Sequence, residues 1–193
     1  MKNKFFGIAI FSILLVACNG SGKKPSEKVN TAADSSKADT QSEDKGKQES
    51  ASINGIVSGY LQLKNALVND DGSGAADAGK VIMDAVDKVD TASLSPAQKK
   101  AFIDVADDIK ENAEHCRKNG NKIEHQREHF DILSQDMYAL VKSFPPSQTL
   151  YKDKCLMYNE SKGAFWLSET KEIKNPYYGK KMLTCGVIKE EIK

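Results

Sequence analysis

Two short sulfur pairs lie near the C-terminus, Cys155-Leu156-Met157 and Met182-Leu183-Thr184-Cys185. A thiolate and a thioether together select soft, polarisable cations, Cu(I) above all, and are poor ligands for Mg²⁺ or Ca²⁺. Zinc accepts thiolates but seldom thioether sulfur. In an extended strand residues 155 and 157 point to the same face. The three-residue step from Met182 to Cys185 suits a turn, and Gly186 permits a tight backbone after it. If the pairs approach, four sulfurs surround one ion. The same two cysteines can instead close a disulfide that staples a coreless tail, with the methionines as ordinary packing side chains. Spacing leaves both readings open. A dithiol can also do both, holding metal when reduced and closing when oxidised.

The histidines are the second group. His125 and His129 are four apart on a helical stretch and share a face at the flank of the apolar stripe Phe130, Leu133, Met137. Either they are solvated surface residues, or this flank faces the C-terminal segment and His129 or His125 completes a copper site, imidazole being a good copper ligand. Met137 belongs to the core stripe, although its thioether could line the same pocket. His115-Cys116 invites a catalytic dyad, but neighbours on a helix point about 100° apart. Cys116 falls on an apolar stripe with Val105 and Ile109, as a buried inert thiol does. There is no Cys-x-x-Cys pair and no phosphate-binding Gly loop. No catalytic residue is expected, and the chain reads as a binding protein rather than an enzyme.

The elements that must position these residues are helical. Apolar residues recur at three and four from Ile53 to Leu67, from Ala75 to Val89, from Ala101 to Cys116 and from Ile123 to Phe144. Asp70-Asp71-Gly72-Ser73-Gly74 stops the first stripe, Ser95-Pro96 starts the third, Asn119-Gly120-Asn121 ends it and Pro145-Pro146 ends the fourth. The short turns predict a mainly α fold, an antiparallel up-and-down four-helix bundle over 52–146. Residues 147–193 hold six of the fourteen aromatics and sustain no helical stripe. They are expected to form short β-strands and irregular loops packed on the bundle as part of one domain, being too few to fold alone.

The stretch from Leu150 onward resembles a domain, formerly of unknown function, from bacterial envelope proteins, found alone and fused to the membrane-fusion subunits of heavy-metal efflux pumps. The marks are Cys155-Leu156-Met157, Trp166-Leu167-Ser168, Ile173 to Gly179 and Met182 to Gly186. The upstream segment QREHFDILSQDMYALVK is similar to that family's last helix, so the likeness spans about 52–193. Leu156 stands where the family has proline, which loosens the turn between Cys155 and Met157 without removing either sulfur. The resemblance implies handling of copper, or of a related soft metal such as silver, and puts metal ahead of the disulfide.

The N-terminus adds an address. Met1 to Ala17 has a basic start (Lys2, Lys4) and an apolar core from Phe5 to Ala17, too short to span a bilayer. It ends Leu15-Val16-Ala17-Cys18, which resembles the lipobox of bacterial lipoproteins, so residues 1–17 are expected to be a signal peptide and Cys18 the lipidated residue. Asn19 after that Cys implies the outer membrane of a Gram-negative envelope, with the protein facing the periplasm. Residues 18–51, with six lysines, six acids and Val29 as the only large aliphatic, read as a disordered tether. Across 193 residues, 28 basic against 27 acidic side chains give a net charge of +1, against a nucleic-acid partner. The sequence therefore points to an envelope lipoprotein that holds Cu(I) for sequestration, or for delivery to an efflux-pump membrane-fusion subunit or another metalloprotein. The alternative is a protein-interaction lipoprotein with a Cys155–Cys185 disulfide and an aromatic docking surface.

Overall fold

The computed structural model describes residues 45–193, with side chains from residue 53. Residues 1–17, expected to be a signal peptide, and Cys18, expected to be lipidated, lie outside the described residues, as does most of the expected tether. Four helices follow one another: α1 (Lys45–Val68), α2 (Gly72–Val86), α3 (Pro96–Lys118) and α4 (Ile123–Ser143). Helix α1 begins inside the stretch 18–51 expected to be tether. Once a helix is nucleated, good helix formers such as Lys, Gln, Glu and Ala extend it by one hydrogen bond per residue, without an apolar stripe to announce it.

Local chemistry sets the remaining ends as the sequence suggests. Asp71 caps α2 by accepting the Gly74 N–H at 2.8 Å. Ser95 and Gln98 form a reciprocal capping box ahead of Pro96 in α3. Helix α4 stops at Phe144, whose backbone is extended before Pro145-Pro146. Consecutive helices run antiparallel: Gly55 faces Ala85 and Gly59 faces Ile82, Gly79 meets Ala113 and Arg117, and Cys116 meets Gln126. Helix α1 also packs against α4, where the Tyr60 and Phe130 rings stack at 5.2 Å. Among the described residues no helix is long and apolar enough to cross a membrane.

The tail folds into a small antiparallel sheet, β1 (Leu150–Cys155), β2 (Ala164–Ser168) and β3 (Val187–Ile192), in the order β2-β1-β3. A register shift leaves Lys189 as the extra residue of β3. Strand β2 joins the bundle core through Trp166 and Leu167, both buried. Tyr60 fastens it: the phenol donates to Ser134 Oγ at 2.7 Å and accepts the Leu167 N–H at 3.0 Å. The buried Lys64 and its neighbour Asn65 grip Glu169, just past β2, at 2.7 and 2.9 Å. One hydrophobic core thus runs from Ile53 to Ile192 through bundle and sheet.

One interhelical pair sets a pH dependence. Burial, and then the nearby Asp108 carboxylate, push the Asp136 carboxyl up to about 6, and its Oδ2 has no hydrogen-bond partner among the described residues. An acid whose folded pKa is raised binds its proton more tightly in the folded state, so stability falls as pH rises from about 4 to about 6. Asp136→Asn should remove this term. Thermal unfolding is expected to show the variant about 1–2 kcal/mol more stable than the parent at pH 8, and little different at pH 4.

Candidate metal centre

Strand β1 is the middle strand, and Cys155 at its end is fully buried. Met157 lies two residues on, 52% exposed at the surface. Cys185 comes from the loop ahead of β3, half-buried. The fold brings the three together across 28 and 30 residues of chain: Cys155 Sγ lies 3.7 Å from Cys185 Sγ, and the Cys185 thiol points at Met157 Sδ at 3.9 Å. The cysteines are free thiols. Metal–sulfur bonds of about 2.3 Å place ligand sulfurs about 3.8 Å apart in a tetrahedron and about 4.0 Å apart in a trigonal plane. The donor set is soft, and the two separations made by Cys185 match those of sulfurs bound to one ion. Burial, followed by the adjacent Cys155 thiol, raises the Cys185 thiol above its ordinary pKa.

A buried amide holds the two sulfur-bearing segments. Asn175 donates from Nδ2 to the Cys185 carbonyl at 2.7 Å, and its backbone N–H donates to the Leu183 carbonyl at 2.8 Å. Its Oδ1 accepts the N–H groups of Tyr177 and Tyr178 at 2.8 and 3.3 Å. The Tyr178 phenol then donates to the Met157 carbonyl at 3.2 Å. Gly186 is required for close approach rather than for an unusual backbone: a Cβ there would lie 2.8 Å from the Trp166 ring and 3.1 Å from Ile173. A 3-10 turn (Gly179–Lys181) lies between Tyr178 and Met182, opened by Gly179 at φ +54° and pressed against the Asp70–Arg127 ion pair.

Met182 caps that turn. It is half-buried, and its carbonyl accepts the Cys185 N–H at 3.1 Å. Among the described residues neither thiol hydrogen-bonds to Met182 Sδ, whereas Cys185 does reach Met157 Sδ, so the hydrogen bonds link three of the four expected donors. Met137 is fully buried in the core among Phe130, Leu133 and Leu140, away from solvent.

The histidines are a correction. The flank carrying His125 and His129 faces α3, not the C-terminal segment. Arg127 reaches Pro176 in the tail, Phe130 packs on Tyr177, and Ser134 meets Tyr60. His125 and His129 sit two residues either side of Arg127, about 200° around the axis from it. They stack instead with His115 of α3: the His115 and His129 rings are parallel at 4.1 Å, and His125 stands edge-on to His129 at 4.6 Å. Burial, then the neighbouring His115 and His125, lower the His129 pKa. Among the described residues no histidine nitrogen lies within 4.8 Å of both thiols. His115 is the residue that sequence reasoning missed, by weighing it only against Cys116. That thiol is fully buried, donates to the Gln126 carbonyl at 3.5 Å and is pushed up to about 12 by burial. The missed signal was symmetry. His115 and His125 are equidistant from Gly120 in the turn, and an antiparallel helical hairpin brings such positions together.

Residues 56–149 match DUF3347, a protein family of unknown function. The DUF3347 match covers just under half of the chain, from inside α1 through α4, and ends one residue before β1. It therefore includes the three histidines and stops short of the sulfur residues. The chain matches no curated protein and no solved structure.

Proposed function

We propose that this protein binds a soft monovalent cation, Cu(I) or the like-charged Ag(I), through Cys155, Cys185 and Met157, without catalysing a reaction. The observation that carries the reading is the three-sulfur cluster, in which Cys185 lies at ligand-like separations from both Cys155 beneath and Met157 at the surface. Met182 stands three residues from Cys185 as a fourth sulfur in reserve. Exposed Leu156, Leu183, Val187 and Ile188 lie on the same segments, giving the site an apolar rim suited to handing an ion to another protein. The lipobox-like start at Cys18 supports an outer-membrane lipoprotein facing the periplasm. The likeness of the tail to domains fused to efflux-pump membrane-fusion subunits supports sequestration, or delivery to such a pump.

The test is an anaerobic Cu(I) titration of the reduced protein against a coloured Cu(I) chelator. One ion per chain should be withdrawn from the chelator. Met157→Leu, nearly isosteric, should leave the circular dichroism unchanged and weaken binding by roughly tenfold or more. Met182→Leu should act less. Failure to compete at all, with the thiols closing on each other in air, would instead favour the stapled tail with an aromatic docking surface.

A further inference from the structure

We propose that His115, His125 and His129 form a second metal site, for a borderline divalent transition-metal ion such as Zn(II) or Cu(II), with one coordination position left open. This inference is independent of the sulfur cluster, since it uses other residues on the opposite face of α4.

Three observations carry it. One ligand nitrogen from each ring comes within 4.8 Å of the others, against about 3.4 Å between nitrogens bound 2.0–2.1 Å from a tetrahedral ion. Modest ring rotations close that gap, because all three side chains are only half-buried. The spacing of His125 and His129 puts both rings on one helical face, as in the paired-histidine zinc motif, and the hairpin supplies His115 from α3.

The third observation concerns the hydrogen bonds that the rings already make. His129 Nδ1 lies 3.0 Å from Asn112 Oδ1, and His125 Nδ1 lies 3.0 Å from Glu128 Oε2. Both oxygens are acceptors, so in the neutral rings the proton sits on Nδ1 and the lone pair on Nε2. Metal-ligating histidines show this pattern: the second nitrogen donates to a carbonyl or carboxylate, which fixes the tautomer and aims the ligand. Asn112 is itself buried, and its Nδ2 is held by the Asp108 carbonyl at 2.8 Å, so its oxygen is oriented. The donor chemistry differs from that of the tail. Three imidazoles suit Zn(II), Cu(II) and Ni(II). No fourth His, Cys, Asp or Glu joins the cluster among the described residues, so water or an exogenous ligand would complete the coordination.

The experiment is a Zn(II) titration of the Cys18→Ser/Cys155→Ser/Cys185→Ser chain against a chromogenic zinc chelator. The accessible thiols are gone, so uptake by the sulfur cluster is excluded and the outcome is separate from the fate of the Cu(I) reading. One Zn(II) per chain is expected, with loss of at least tenfold in affinity in both His115→Gln and His129→Gln. Ring-nitrogen NMR should show Zn(II) on Nε2 with the Nδ1 protons of His125 and His129 retained. Two results would overturn the site: no uptake by the folded triple variant, which keeps only the buried Cys116, or uptake that His115→Gln leaves unchanged. If the triple variant fails to fold, the same His variants in the reduced parent chain, with the sulfur cluster first saturated with Cu(I) or Ag(I), read the second equivalent directly.

Discussion

Cys185→Ser is expected to lower Cu(I) affinity by at least about a hundredfold, so that the variant no longer competes with the chelator. Outer-sphere partners of a metal alone account for about 10–100-fold, and Cys185 is the sulfur that touches both others, at 3.7 and 3.9 Å. Its removal leaves Cys155 and Met157 without the atom that links them. A hydroxyl is a hard donor with little affinity for Cu(I). The fold should survive: Cys185 is half-buried, and the groups that place its loop are backbone atoms held by Asn175. Unchanged thermal unfolding with lost Cu(I) binding would separate chemistry from stability. A variant that still strips the chelator would remove Cys185 from the site.

Arg127→Met is expected to be the most damaging substitution for stability, by about 3 kcal/mol. The guanidinium is buried on the tail side of α4 and does four things at once. Nε donates to the Pro176 carbonyl at 2.8 Å, and Nη2 donates to the Leu67 carbonyl at 3.1 Å and to Asp70 Oδ1 at 2.6 Å. The side chain also walls the space beside Gly179. Methionine fills much of the volume but leaves two carbonyls and a carboxylate without their donor. Partial burial raises the Asp70 pKa, but the Arg127 hydrogen bond and charge, with the Lys180 N–H, outweigh it and hold the carboxyl below its usual range. That contribution is present at neutral pH and is lost as pH falls through the lowered value. In thermal unfolding at pH 7 the loss corresponds to a midpoint lower by about 6–12 °C. The Asp70→Asn/Arg127→Met double variant should be less destabilised than the sum of the singles, because the two residues share one network. Additivity would show that the pair is not coupled.

The helices were legible because their signals are local. Ser95-Pro96, Asn119-Gly120-Asn121 and Pro145-Pro146 act within a few residues, and the structure places boundaries at each. The strand-bearing segments were legible for the same reason, their apolar runs being interrupted by turns. Strand order was not, since pairing β3 beside β1 depends on contacts some forty residues apart. The sulfur cluster was half legible. Residue type announced the chemistry, but whether Met157 or Met182 meets the thiols depends on the Asn175 network, which leaves no trace in spacing. The histidines misled because periodicity says which side of a helix is apolar, not which neighbour covers each flank. The extent of α1 was hidden because its first turns carry no apolar stripe.

Trp166 is the chain's only tryptophan, and its ring edge rests where any side chain on residue 186 would have to go, one residue from Cys185. The molecule thereby carries an optical reporter of its own. The indole is fully buried, its N–H without a partner among the described residues, and its emission belongs to a single environment beside the thiols. Excited on the red edge, beyond the absorption of the six tyrosines, its fluorescence can follow events at that loop with no dye and no label.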